Sequence, residues 1–413
     1  MKFLLNFFGT AAKTQTAKDA GIVFGGQVLS TLISAIFFIL VARFLGPEKL
    51  GIYSAATAIV IVLADTVDLA INSSIVKFYH RKDYKAYWKF AFLLKMLAGF
   101  VFSILLFFGA GFLSEIMRQD LTVVLKVSSL LVFLVFFCRF PKAVFQAQKK
   151  FLSDALVDMA TSALRLLLTI LLIYFSLLSV KSVLWTQIIS ALGIGLIALK
   201  FIGIDFLKAK ITPAVRKTFF SFHSWLTVGF ILAAVHSRID NIFLMRFSGP
   251  AMVGYYQAGY RFFMPIVQFS SVLSTVFAPR FASFEKEEQV KAYLKKTSLL
   301  SGGLALLVLV FIFFVPVIVK FLFGADYAPA VLPTQILAVG FAFFVFAVPF
   351  MSCLIYRRGE TGFFALLNLL QLFLVVGLDL LLIPKFQAVG AASAASLTII
   401  IINILAIFWV IRK

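Results

Sequence analysis

Apolar runs of about twenty residues recur along the whole 413-residue chain, separated by short polar connections. Each is long enough to cross a ~30 Å hydrocarbon layer as a helix. The pattern predicts twelve spans, at about 20–43, 51–74, 87–112, 120–140, 153–178, 180–203, 219–245, 251–278, 293–318, 329–354, 361–383 and 387–411. The longest connection is about fifteen residues, which leaves no room for a soluble domain between spans. The first residues, Met1 to Thr10, contain a lysine and a short apolar stretch that mimics a signal peptide. A full span follows closely, so this segment is expected to remain as a cytoplasmic tail with a short interfacial helix.

Composition agrees with the pattern. Hydrophobic residues make up 62% and charged residues 13% of the chain, and the mean hydropathy is +1.06. Soluble domains carry about a quarter charged residues, so the bilayer is the expected solvent. The net charge of +21 could suggest a nucleic-acid partner, but its distribution excludes that reading. On one side of the predicted membrane lie 26 Lys and Arg residues, against 7 on the other and 5 within spans. This alternation puts both termini in the cytoplasm and supports an even number of spans. The surplus charge serves orientation and attraction to anionic lipid headgroups. The two cysteines, Cys138 and Cys353, fall in or beside apolar runs and read as buried thiols. No Gly-Lys pair occurs anywhere, which excludes a Walker A loop and its ATPase module.

The chain contains an internal repeat. Residues 43–56 read RFLGPEKLGIYSAA and residues 246–259 read RFSGPAMVGYYQAG, matching at seven of fourteen positions at a constant offset of 203. A weaker echo pairs Lys85-Ala86-Tyr87 with Lys291-Ala292-Tyr293. Six spans separate the copies, so the two halves run in the same direction. The expected fold is all-α, with about twelve transmembrane helices in two parallel six-helix halves around a central cavity. The halves cover 1–203 and 219–413, joined by a cytoplasmic linker at 204–218. Parallel repeats of this kind rock against each other around a central site.

Charge inside the bilayer costs at least ~2.5–3.5 kcal/mol per group, so each such residue needs a partner or a wet cavity. Lys126 and Asp379 lie close to span ends and are expected to reach the interface. Lys95, Arg165 and Arg261 lie deeper. Gln257, Arg261 and Gln268 share one helix face; Asp154, Asp158, Ser162 and Arg165 form another polar stripe. On the second span Asp65, Asp68 and Asn72 share a face, and the outer half of the seventh carries His236, Arg238, Asp240 and Asn241. The arginines, Lys95, Gln257 and Gln268 are candidates to line a cationic cavity. Asp65, Asp68 and Asp240 are either charge partners for the arginines or ligands of a coupling proton or sodium ion. Pro265 and Pro349 free backbone carbonyls and allow bending.

The segment Ser237-Arg238-Ile239-Asp240 through Gly249, Val253-Gly254-Tyr255-Tyr256, Ala258 and Arg261 resembles the polysaccharide transporter family. So does the turn Ala42-Arg43-Phe44-Leu45-Gly46-Pro47 with Gly51-Ile52-Tyr53. That family contains the O-antigen flippases and belongs to the multidrug/oligosaccharidyl-lipid/polysaccharide exporter superfamily. The resemblance implies a non-enzymatic flippase of the cytoplasmic membrane. It would carry a polyprenyl-pyrophosphate-linked oligosaccharide outward by alternating access, for cell-surface polysaccharide synthesis. It implies no cofactor beyond a coupling H+ or Na+, and as partners membrane lipids and other polysaccharide-assembly membrane proteins. Mid-membrane arginines suit an anionic pyrophosphate, since a guanidinium bonds phosphate bidentately without losing its proton. The competing reading, a cation-coupled multidrug exporter, predicts an acidic cavity. A membrane glycan polymerase or ligase would need a larger outer loop than any present here.

Overall fold

The computed structural model describes residues 15–412, and the tail at Met1 to Thr10 lies outside the described residues. Nearly all of the described chain is helical, without a strand among the described residues. The helices are α1 (Gln15–Lys77), α2 (Tyr84–Met117), α3 (Thr122–Ala147), α4 (Phe151–Tyr174), α5 (Val180–Ile202) and α6 (Pro213–His236). They continue with α7 (Ile239–Ser248), α8 (Pro250–Tyr260), α9 (Met264–Ser283), α10 (Glu287–Phe323), α11 (Val331–Tyr356) and α12 (Thr361–Arg412). Helix is the form in which each segment satisfies its own backbone in a solvent that offers no hydrogen bonds.

Among the described residues, nine helical stretches are long and apolar enough to cross a membrane. Two of them are too long for one crossing. α1 has 63 residues, roughly 95 Å at helical rise, about three times the hydrocarbon thickness. It breaks at Gly46 (φ 77°, ψ 169°), and α12 breaks at Gln387 (φ 53°, ψ −128°). The outward surface is apolar, with Phe108, Phe313 and Phe321 at 76–80% exposure. In water such a surface would aggregate, whereas in lipid it is the natural exterior.

Two compact units divide the chain. The first comprises the described residues up to Phe44, with Ala56–Ile116 and Asp120–Val235; the second comprises Leu45–Ala55, Met117–Gln119 and the chain from His236 onward. In the first unit Phe78, Tyr87, Trp88, Phe140 and Phe219 share a buried cluster. In the second, Phe277, Phe281, Phe350 and Leu354 do the same. In the segment between α5 and α6, exposed Lys208 donates to Asp205 at 2.9 Å, and that hydrogen bond holds the Asp205 carboxyl below its ordinary pKa.

The repeat found in the sequence is a structural one, and the second unit holds all of its second copy and Leu45–Ala55 of its first. Gly46 and its equivalent Gly249 adopt nearly the same backbone, at φ 77° and ψ 169° against φ 84° and ψ 175°. That region is accessible essentially to glycine alone. Each is followed by a proline, Pro47 or Pro250, that starts the next helical arm with its φ already set. Four residues later the copies meet reciprocally. A Cβ on Gly51 would collide with the Pro250 carbonyl, and one on Gly254 with the Pro47 carbonyl. The two arms therefore approach backbone to backbone about a local twofold, as small residues permit in membranes.

Gly254→Ala should therefore lower the melting temperature of the purified protein, by an amount equivalent to about 1–3 kcal/mol of overpacking. Gly303→Ala is the control, because nothing lies within 4 Å of the added methyl. It should leave the melting temperature unchanged or slightly raised, since alanine is the better helix former.

Candidate functional site

The candidate charged side chains inside the spans gather mainly in three groups, two in the first unit and one in the second. In the first group, helical spacing puts Asp65, Asp68 and Asn72 on one face of the second arm of α1. Lys95 on α2 is fully buried, and its Nζ lies 2.7 Å from Asp68 Oδ1 and donates to Asn72 Oδ1 at 2.6 Å. Asp68 Oδ2 accepts from Asn72 Nδ2 at 3.0 Å and pairs with Arg139 Nη1 at 3.3 Å. Arg139, on α3, also bonds Asp65 Oδ1 at 2.6 Å. Two carboxylates and two cations thus close a network without net charge. Asp68 and Lys95 are 0% exposed, while Arg139 retains 31% and Asp65 19%. Lys95 is therefore committed to Asp68, and the exposed edge of the group is Arg139. Arg139 falls at the end of the predicted span 120–140 and was not among the candidate cavity residues.

The second group divides the polar stripe of α4. Its acids turn to α3, where Lys142 Nζ bonds both oxygens of Asp158 at 2.6 Å and Gln146 bonds Asp154 at 2.9 Å. Its other end turns to the first arm of α1. Ser162 lies 3.2 Å from Ser30 and 3.1 Å from Ser34. Arg165 donates to Ser34 Oγ at 3.0 Å, with its guanidinium 4.2 Å from the centre of the Phe37 ring. A hydroxyl and an aromatic face thus contact this arginine.

The third group is built on two helix breaks in the second unit. The helix interrupted between α6 and α7 places Arg238 at the break and Asp240 in the first turn of α7, where the helix dipole favours a carboxylate. Asp240 Oδ1 accepts from the Asn241 backbone N–H at 2.8 Å and from Asn241 Nδ2 at 3.1 Å; Oδ2 accepts from the Tyr256 hydroxyl at 2.5 Å. Arg238 is near enough to attract Asp240 electrostatically, and its buried Nε has no hydrogen-bond partner. Gln257 donates to Asn241 Oδ1 at 2.5 Å. Arg261 is half-buried in the 3-10 turn Arg261–Phe263 between α8 and α9, and Pro265 starts α9 just beyond it. Gln268 follows, half-buried, on α9. Discontinuous helices of this kind present backbone and polar side chains at mid-membrane depth.

Asp379, on the first arm of α12, joins this group and was not expected to. Its distance from the span end suggested access to the interface, yet it is 0% exposed. Neither of its oxygens has a hydrogen-bond partner, and it lies close enough to Asp240 to repel it. Lys126, by contrast, is exposed on the surface of α3. Among the described residues no group of three His, Cys, Asp or Glu side chains could hold a metal ion. The free thiols Cys138 and Cys353 are half-buried and buried.

Because Asp68 is the hub of the first group, Asp68→Asn should destabilise the protein by about 3–5 kcal/mol, the cost of stranding a buried partner charge. Asp65→Asn, at the wetter edge, should cost less. The double variant Asp68→Leu with Lys95→Met should recover most of the lost melting temperature.

Comparison with known proteins places this arrangement. The family model of the polysaccharide biosynthesis proteins matches residues 16–285. A Shigella flexneri protein named "Putative O-antigen transporter" is 23% identical over 396 residues, covering 91% of this chain and 93% of that protein. Among solved structures, the lipid II flippase MurJ in an inward closed conformation superposes with a TM-score of 0.77 at 15% identity, covering 95% of this chain and 87% of MurJ. An inward-facing multidrug resistance transporter of the MATE family, in the MOP superfamily, gives 0.76 at 14% identity, covering 93% and 94%. These structures share the fold. With a family model matched over well more than half of its length, this multi-pass membrane protein belongs to the polysaccharide biosynthesis protein family.

Proposed function

We propose that the protein is a flippase that carries a polyprenyl-pyrophosphate-linked oligosaccharide across the cytoplasmic membrane by alternating access. Family membership supports a role in polysaccharide assembly; the similarity to an O-antigen transporter and the fold shared with a lipid II flippase support a lipid-linked sugar as cargo. The observation that carries the reading is the set of arginines held at breaks and mid-span positions in a membrane helix bundle. A buried guanidinium keeps its charge and fits the pyrophosphate, the one strongly anionic part of such a substrate. Arg261 and Arg238 contact the pyrophosphate, with Gln257 and Gln268 beside them. Arg165 and the Lys95–Asp68–Arg139–Asp65 group meet acidic or polar parts of the glycan from the first unit, through the exposed edge at Arg139. The chain carries twelve crossings organised as 1–203 and 219–413 around the linker 204–218, both termini face the cytoplasm, and transport proceeds without covalent catalysis.

Coupling resides with Asp240 and Asp379. Asp379 is buried with both oxygens unpartnered and lies within electrostatic range of Asp240, so a proton or cation taken up there would satisfy it. A proton or sodium ion taken up there changes the charge of the group that also contains Arg238. The same feature favours the second reading, a cation-coupled multidrug exporter, whose fold this chain shares. In that case expression would raise drug resistance and leave glycan export untouched.

Arg261→Ala should cut glycan export in a complementation assay by roughly tenfold to a hundredfold, the worth of one charge-assisted phosphate contact. Arg261→Lys should retain an intermediate level. Normal export by well-expressed Arg261→Ala would remove that arginine from the site. Asp379→Asn should abolish the dependence of transport on an imposed proton or sodium gradient across membrane vesicles. A variant whose transport still follows the gradient would exclude coupling there.

A further inference from the structure

The second unit contains a cavity of about 370 Å³ between α9, α11 and both arms of α12, separate from the Arg238–Asp240 group. Its walls are mostly apolar, including Phe344 and Phe364, and six neutral polar residues interrupt them: Ser270, Ser271, Ser274, Asn368, Gln371 and Asn403. No ionisable side chain lines it, in a chain with 38 lysines and arginines. A few directed polar groups on an apolar wall are the general signature of a small-molecule site.

The hydrogen bonds within the cavity wall define the ligand further. Asn403 is 5% exposed, and its Nδ2 donates to the Ile399 carbonyl at 2.7 Å. Asn368 Nδ2 donates to the Phe364 carbonyl at 2.8 Å, and Ser271 Oγ to the Gln268 carbonyl at 2.7 Å. Ser274 and Ser352 bond each other at 3.1 Å. Asn403 and Asn368 thus commit one N–H each and keep a second, and the amide and hydroxyl oxygens can still accept, so the wall offers neutral donors and acceptors without charge. Ser270 is 2% exposed, and its Oγ has no partner, an arrangement that costs free energy unless a ligand or water satisfies it. A phosphate or carboxylate would find no cation in this lining and is disfavoured by its charge. A cation would find no carboxylate. A neutral polyol brings hydroxyl donors to the acceptors and C–H faces to Phe344 and Phe364.

We propose that this cavity is a subsite for an uncharged sugar residue of the glycan, set apart from the arginines that meet the pyrophosphate. The glycan assignment rests on the flippase reading; the neutral-sugar chemistry rests on the cavity alone. The pyrophosphate and the sugar are then recognised by different groups, the first by charge and the second by neutral hydrogen-bonding side chains. Ser270 and Ser271 begin the turn that follows Gln268 on α9, so the subsite continues along the helix that Arg261 precedes.

The test is saturation-transfer NMR on the full chain in lipid nanodiscs, with glucose, galactose, N-acetylglucosamine, glucuronate and farnesol as separate probes. At least one neutral sugar should receive saturation, and glucuronate and farnesol should not compete with it. Asn403→Leu and Ser270→Val should each reduce the sugar signal at least about fivefold, the worth of one neutral hydrogen bond. Asn368→Leu, on the exposed rim, should do the same in a protein whose melting temperature is unchanged. Arg261→Ala should bind sugar as the parent does. No sugar signal, a signal indifferent to all three cavity variants, or displacement by farnesol would overturn the proposal, the last by making the cavity a prenyl-chain site. Glycan export measured on the same variants separates the two readings. Export that depends on the protein without sugar binding sinks the subsite alone; sugar binding without any role in export sinks the flippase reading and leaves a neutral-sugar site.

Discussion

The absence of compensating water inside the bilayer governs this protein. A soluble protein can leave a lysine or an aspartate to the solvent, but a membrane span must find each one a partner. The fully buried contact between Lys95 and Asp68 is the clearest instance. Asp68 also receives Asn72 and Arg139, so one carboxylate ties the second arm of α1 to α2 and α3. Similar constraints order the rest: Lys142 goes to Asp158, Arg165 to Ser34 and the Phe37 ring, and Asp240 to Tyr256 and Asn241.

Where compensation is incomplete, the structure becomes informative about function. Asp379 is buried with both oxygens unpartnered, and Arg238 has an unpartnered Nε. Both lie with Asp240 around the break between α6 and α7. A folded protein that retains unsatisfied ionisable groups in its interior bears a cost that stability alone does not explain. Gathering them at a helix break, where backbone groups are also released, fits a site that takes up and releases something charged.

Much of the architecture was legible in the sequence, because it depends on residue types whose backbone needs are local. Hydrophobic runs located most of the helices, although the predicted span 219–245 is broken around Arg238. The repeat was visible because Gly46 and Gly249 occupy a backbone region other residues avoid, and because Gly51 and Gly254 admit a carbonyl where any side chain would block it. The site was less legible, for two reasons. Depth along a span can be counted from sequence, but the direction of a side chain cannot. Asp379 was judged by its distance from the span end, although it points inward. Arg139 falls at the end of the predicted span 120–140, although its guanidinium bonds Asp65. The shared face of Asp65, Asp68 and Asn72 was visible; that Lys95 would be their partner required the packing of α2 against α1.

The central claim is that this protein moves a lipid-linked sugar between leaflets. The most direct test reconstitutes it in sealed liposomes that carry a polyprenyl-pyrophosphate-linked oligosaccharide in both leaflets, with a glycosidase added outside and a coupling gradient imposed. The account predicts that digestion passes the half that is accessible at the start and approaches completion only when the protein is present. Digestion that stops at half in liposomes containing correctly folded protein and the gradient would contradict it.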